Sequence, residues 1–122
     1  MRIVRMEHAR SHLGPYQHQE VQSHVCHCYD PQQHPSPWDD GINGVQGTTT
    51  FRSYSYSGYR FGFRTLQELL DWFGHTVLEA LFGQDFHVVE YEVEPEWVML
   101  GGKQVAFRWE MSRVMNSSVE GA

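Results

Sequence analysis

Lysine is almost missing from this chain. Eight of its nine basic residues are arginine, and fifteen acidic residues outnumber them, for a formal net charge of -6. A surface with that balance does not hold a phosphate backbone by bulk charge, so nucleic acid is not an expected partner. A protein or a small ligand suits it better. Cysteine is equally scarce. Cys26 and Cys28 stand one residue apart and cannot tie distant segments together, which removes a disulfide framework and fits a reducing, cytoplasmic compartment. Long apolar runs are absent too: none approaches the roughly 20 residues of a membrane-spanning helix. The opening MRIVRMEHAR lacks the apolar middle of a secretory signal, so no membrane partner is expected. No internal repeat is present.

What the chain does have is enough apolar material for one core. With 122 residues, 40% hydrophobic and 14% aromatic, it is expected to form a single domain over 1–122. MRIVRM, residues 1–6, reads as a first strand because Ile3 and Val4 favour extended backbone. Residues 9–50 are rich in Gln, His, Pro, Gly and Ser, and no period of 2 or 3.6 survives there. Pro35, Pro37, Gly41, Gly44 and Gly47 punctuate a long irregular segment, of the kind that is functional or partly disordered. The tail over 116–122, NSSVEGA, is expected to be frayed.

Sharper signals follow. FRSYSYSGYRFGF alternates rings with small or polar residues, which predicts one or two short strands with Gly58 at a turn. Thr65 and Glu68 have capping-box spacing, and Leu66, Leu69, Leu70, Phe73, Val77 and Leu81 recur at helical spacing. A helix over 65–82 is therefore predicted, interrupted at Gly74, with Thr76 and Glu79 repeating the box and Gly83 as its stop. In FHVVEYEVE, Val89, Tyr91 and Val93 fall on one face and Glu90, Glu92 and Glu94 on the other, and Pro95 ends the strand. EWVML and KQVAFRWEM flank Gly101 and Gly102, which suggests a hairpin with a two-residue primed turn. Its second arm would point Val105, Phe107, Trp109 and Met111 inward and Gln104, Ala106, Arg108 and Glu110 outward. The fold class is then α+β: a largely antiparallel sheet with one main helix, kinked at Gly74, and a long irregular N-terminal region.

An Arg on the first strand, an FGF strand passing through a hydroxyl residue into a helix ending in WF, and late strands reading YEV and QVAF together resemble the ADP-ribosyltransferase fold. That family places an Arg, a Ser or Thr and a Glu around NAD. The resemblance carries these roles to Arg5, Thr65 and Gln104, with Arg5, Tyr59, Phe61, Phe63 and Thr65 as the residues that would hold NAD. Gln104 departs from the pattern, because a neutral amide stabilises a developing oxocarbenium charge poorly. The chain is also similar to small proteins of bacteriophages and prophages that begin with an Arg strand, continue with GPY, here Gly14, Pro15 and Tyr16, and later carry the FGF, helix and WF segment. Each of these residues has a structural account as well: Thr65 as a helix cap, the rings as core, Arg5 as an exposed strand residue.

Two further clusters carry chemistry. HVCHC brings His24, Cys26 and Cys28 to one side of an extended segment with His34 close behind, which makes a zinc site conceivable. The C-x-C spacing and the lack of a second ligand pair favour surface histidines and partly buried thiols instead. Glu90, Glu92, Glu94 and Glu96 would form an acidic row for a basic partner if extended pairing continued across Pro95; the alternative is a solvated strand face. The leading expectation is a noncatalytic phage-type accessory protein without a cofactor, which binds a host protein and inhibits a host defence system. The alternatives are an NAD-dependent mono-ADP-ribosyltransferase and a small zinc module.

Overall fold

The computed structural model describes residues 1–15, 34, 40, 42 and 59–115 in full, and the backbone alone of 45–46, 49–50 and 116–117. The order is β1 (Arg2–His8), β2 (Val45–Gln46), β3 (Thr49–Thr50), β4 (Tyr59–Gly62), α1 (Leu66–Phe82), β5 (Phe86–Val93), β6 (Val98–Leu100), β7 (Val105–Arg108) and β8 (Ser112–Ser117). Short 3-10 turns at Pro95–Trp97 and Trp109–Met111 separate β5 from β6 and β7 from β8. All pairing is antiparallel. One sheet runs β1-β5-β8, another β4-β7-β6, and β2-β3 is a two-residue ladder. The first two sheets meet where Val4 and Phe63 exchange backbone hydrogen bonds of 2.8 Å in both directions. This is the expected α+β architecture.

Alternation along β1 and β5 gives their sheet two apolar faces. Val4, Met6, Phe86 and Val88 lie under α1 and touch Leu69, Trp72, Phe73, Val77, Leu78 and Leu81. On the opposite face Ile3, Val89, Tyr91 and Val93 pack on Val98, Val105 and Phe107 of the second sheet. β5 is thus a central strand covered on both sides over most of its length. Each fully buried Leu, Val or Phe contributes about 1.5–3 kcal/mol of transfer free energy, so these layers dominate the folding energy. A smaller cluster on the far face of the second sheet joins Ile42, Met99 and Ala106 to Tyr59 and Phe61.

The helix starts where the capping spacing places it: the Thr65 hydroxyl accepts from the Glu68 amide at 3.1 Å. Gly74, at φ 77° and ψ 162°, breaks its regular geometry, as a conformation open to glycine. The glycine of FGF answers a different need. A Cβ on Gly62 would sit 2.7 Å from Ile3 Cγ2 and 2.8 Å from the Val4 carbonyl oxygen, so its absence lets β4 press against β1.

Several expectations are corrected. The β6–β7 connection spans Gly101 to Gln104 rather than two residues, and among the described glycines only Gly74 has positive φ, so the turn is not a primed one. It is held by Asp40, whose carboxylate accepts from the amides of Lys103 and Gln104 and whose carbonyl accepts from Gly102. Gln104 and Ala106 do not face outward to water; both are buried, Ala106 beneath Ile42 and Met99. Trp109 and Met111 are not core residues. β7 ends at Arg108, and they lie 36% and 45% exposed in the 3-10 turn beyond it. Asn116 and Ser117, placed by sequence in a frayed tail, pair through their backbone with Glu90 and Val89.

Candidate functional site

β1 carries two polar side chains, Arg5 and Glu7, on the face whose other member is Ile3, and both are buried. Alternation forces them inward, and a charge can stay there only if paired. Arg5 is 4% exposed and spends every nitrogen inside the protein: Nε donates to Glu7 Oε2 at 3.0 Å, Nη1 to the Phe61 carbonyl at 2.8 Å and Nη2 to the His12 carbonyl at 3.2 Å. Glu7 is also held by the Tyr91 hydroxyl, 2.9 and 2.7 Å from its two oxygens, and by His12 Nδ1 at 3.1 Å. Trp109 Nε1 donates to Tyr91 Oη at 3.3 Å and closes the cluster toward solvent. Burial lowers the Arg5 pKa, an effect that Glu7 opposes. Burial also pushes the Tyr91 hydroxyl up to about 12, so it stays a donor at neutral pH.

The loop after β1 is shaped around this cluster. His12 has φ 62°, a left-handed conformation, its amide returns to the His8 carbonyl, and the His8 amide bonds the Leu13 carbonyl. That turn brings the His12 ring over Glu7 and its carbonyl to Arg5. Gly14 of GPY then lies against the guanidinium: a Cβ there would be 3.3 Å from Arg5 Nη2. His12 is the accessible member, with half of its side chain exposed above a carboxylate that is 2% exposed.

The residues nominated from sequence do not share one opening. Arg5 is an internal clamp rather than an exposed strand residue. Thr65 is an exposed helix cap, and Gln104 is buried beside Asp40. Tyr59 and Phe61 pack on Met99 and Ala106, whereas Phe63 belongs to the helix cluster, 5.4 Å from Trp72 and 6.2 Å from Phe73 between ring centres. A cleft of about 300 Å³ between α1 and the β6–β7 turn is lined by Glu68, Asp71, Trp72, Gly102 and Lys103, and none of the nominated residues lines it. His24, Cys26 and Cys28 lie outside the described residues. His34 is buried with Nε2 2.5 Å from the Trp72 carbonyl oxygen. Among the described residues no group of three or more His, Cys, Asp or Glu could hold a metal ion.

The acidic residues separate. Glu90 pairs with Arg2 at 2.5 Å and Glu92 with the terminal ammonium at 3.3 Å. Glu94 and Glu96 lie past the end of β5, where Pro95 starts a 3-10 turn instead of continuing the strand. Sequence reading missed Glu7, His12, Tyr91 and Trp109 as one cluster. The available signal was the spacing of Ile3, Arg5 and Glu7, which puts an ion pair on the buried face of a strand.

This small α+β chain, with its buried Arg–Glu clamp, is a phage type of protein by its comparisons with known sequences. The profile of the family described as the bacteriophage T4 Y00F protein matches residues 1–119, and the chain belongs to that family. It is also similar to a protein of Enterobacteria phage T4 described as an uncharacterized 19.7 kDa protein in the motB-dexA intergenic region, with 36% identity over 50 residues. Those residues are 41% of this chain and 30% of that protein, so the chain spans less than a third of its relative's length. No solved structure matches the chain. These matches support the likeness to phage proteins and lend nothing to the likeness to ADP-ribosyltransferases. No helix among the described residues is long and apolar enough to cross a membrane.

Proposed function

We propose that this is a noncatalytic phage accessory protein that acts by docking on a protein of the host. The observation that carries the reading is the state of Arg5: all three of its nitrogens are bonded internally and the residue is 4% exposed, so the two N–H groups left over are not presented to a pyrophosphate. Thr65 is likewise committed to its helix. Catalysis on NAD would require the clamp to open, and the alternative transferase reading therefore predicts NAD binding coupled to unfolding of the His12 loop. The zinc-module reading predicts stoichiometric zinc in the purified protein.

Support for docking comes from β8, an edge strand among the described residues. Val114 and Met115 are each 57% exposed there, and Trp109 and Met111 lie exposed in the preceding turn. Exposed apolar side chains on and beside an edge strand suit a protein partner. Inhibition of a host defence system would be one outcome of such docking. The test places a photocrosslinking residue at Met115, and separately at Gln67 on the exposed side of α1, in bacterial host extract. Docking predicts one product specific to position 115 that is lost when Val114→Asp is added. Equal labelling from both positions, or tight calorimetric NAD binding that disappears in Arg5→Ala, would overturn the reading.

A further inference from the structure

Arg60 is the cation that the buried cluster leaves over. Pairing of β4 with β7 sets Arg60 opposite Phe107, which turns its side chain into the space between the two sheets, toward Tyr91 and Trp109. Its guanidinium carbon lies 5.5 Å from the centre of the Trp109 ring. Nη1 reaches only the carbonyl of the adjacent Tyr59, at 3.3 Å, and the buried Nε has no acceptor. Among the described residues no carboxylate answers Arg60. Glu7 is occupied by Arg5, Tyr91 and His12, and Glu110 by Arg108 at 2.7 Å. Arg60 also stands close enough to Arg5 for the two charges to repel. Glu7 therefore balances Arg5 alone, which leaves the charge of Arg60 uncompensated in a protein whose net charge is -6.

We propose that Arg60, Trp109 and His12 form an oxyanion-binding site at the mouth between the sheets, which takes a carboxylate or a phosphate group. Two oxygens of either group match the edge of a guanidinium and would supply the acceptor that Nε lacks once the fork turns toward them. The indole, fixed through its bond to Tyr91, holds the guanidinium plane. The His12 ring centre lies 6.3 Å from that of Trp109, and with Nδ1 directed at Glu7 the other ring nitrogen, Nε2, is a second donor when protonated. A carboxylate on a docked partner and free phosphate present the same chemistry, so the site does not depend on the docking reading.

The side-chain Nε–Hε resonances of the arginines report directly on it. Sodium acetate and sodium phosphate are titrated separately into the full chain at constant ionic strength. The expected result is a saturable shift of the Arg60 resonance with one or both anions, with Arg113 on exposed β8 unmoved. Arg60→Gln abolishes the accompanying shift of the Trp109 indole proton, and His12→Ala weakens binding several-fold. Saturation by acetate alone assigns the site to a partner's carboxylate, and by phosphate alone to a phosphate group. Should Arg60→Gln fail to fold, Arg60→Lys keeps the charge without the fork and is expected to weaken binding several-fold. A linear drift of Arg60 that Arg113 shares, or no shift with either anion, overturns the proposal.

Discussion

Tyr91 and Glu7, 84 residues apart in sequence, meet on the buried face of the first sheet, where one phenol lies within 2.9 Å of both oxygens of one carboxylate. The register sets Tyr91 opposite Ile3 and Glu7 opposite His87, so the two side chains reach toward each other along the sheet past Arg5 and Val89. A hydroxyl has one proton, and it is shared between the two oxygens, while Arg5 supplies the charge-assisted bond. The clamp joins β1, β5, the end of β4 and the His12 loop in one polar unit.

Removing both partners of this ion pair should cost less than the summed cost of removing each alone. Glu7→Gln keeps the shape but leaves Arg5 buried without its counter-charge, and a loss of about 3–5 kcal/mol is expected. Arg5→Leu should cost a similar amount, and the double variant Arg5→Leu with Glu7→Leu clearly less than the sum. Urea unfolding of the three variants measures the coupling. Additive losses would show that Arg5 and Glu7 do not act as a pair.

Tyr91 predicts a loss of stability at high pH. Its hydroxyl titrates near 10 in the unfolded chain and at about 12 in the folded one. Below pH 10 both states are protonated and the contribution is complete. Between those values the unfolded state gives up its proton first, so stability falls as pH rises, by at most about 1.4 kcal/mol per pH unit. The difference in urea midpoint between pH 9 and 11 should be smaller in Tyr91→Phe than in the parent. Equal slopes would remove the effect from Tyr91.

Local signals in the sequence carried the main elements. Thr65 and Glu68 marked the helix start, Gly74 its break, and Val89, Tyr91 and Val93 the buried face of β5, because each depends on spacing within one element. What needed coordinates depends on partners distant in the chain. Arg5 looked exposed until the second sheet covered it. Trp109 looked buried because the alternation of β7 was extended beyond Arg108, where a 3-10 turn resets the faces. Asp40 carried no periodic signal, yet it anchors a turn 63 residues away. His12 belongs to the site only through a left-handed backbone that no pattern announces.

Gly62 is the residue on which the contact between the two sheets depends. An alanine methyl would come within 3.0 Å of both Ile3 Cγ2 and the Val4 carbonyl oxygen, and the second is backbone that cannot swing aside. Gly62→Ala should therefore destabilise by about 1–3 kcal/mol, through overpacking. It should also raise hydrogen exchange at the amides of Val4 and Phe63, which bridge the sheets. Wild-type protection at both amides would show that β1 and β4 are not held this closely.

Asp40 makes a similar demand on the β6–β7 turn from outside it. One carboxylate accepts two successive amides, those of Lys103 and Gln104, and the Asp40 carbonyl accepts a third from Gly102. Gly101 is bare for the same reason, since a Cβ there would meet the Asp40 carboxylate at 2.6 Å. In Asp40→Ala the bond from Gly102 survives, because it uses backbone, while the Lys103 and Gln104 amides lose their acceptor. A loss of about 1–3 kcal/mol is expected for a partly buried group left unsatisfied. Exchange should accelerate at residues 103 and 104 but not at Val105, which pairs with Gly62. Asp40→Asn, with one acceptor oxygen and no charge, should fall between wild type and alanine. If alanine and asparagine were equally destabilised, the carboxylate would be acting through its charge rather than as a template for the turn.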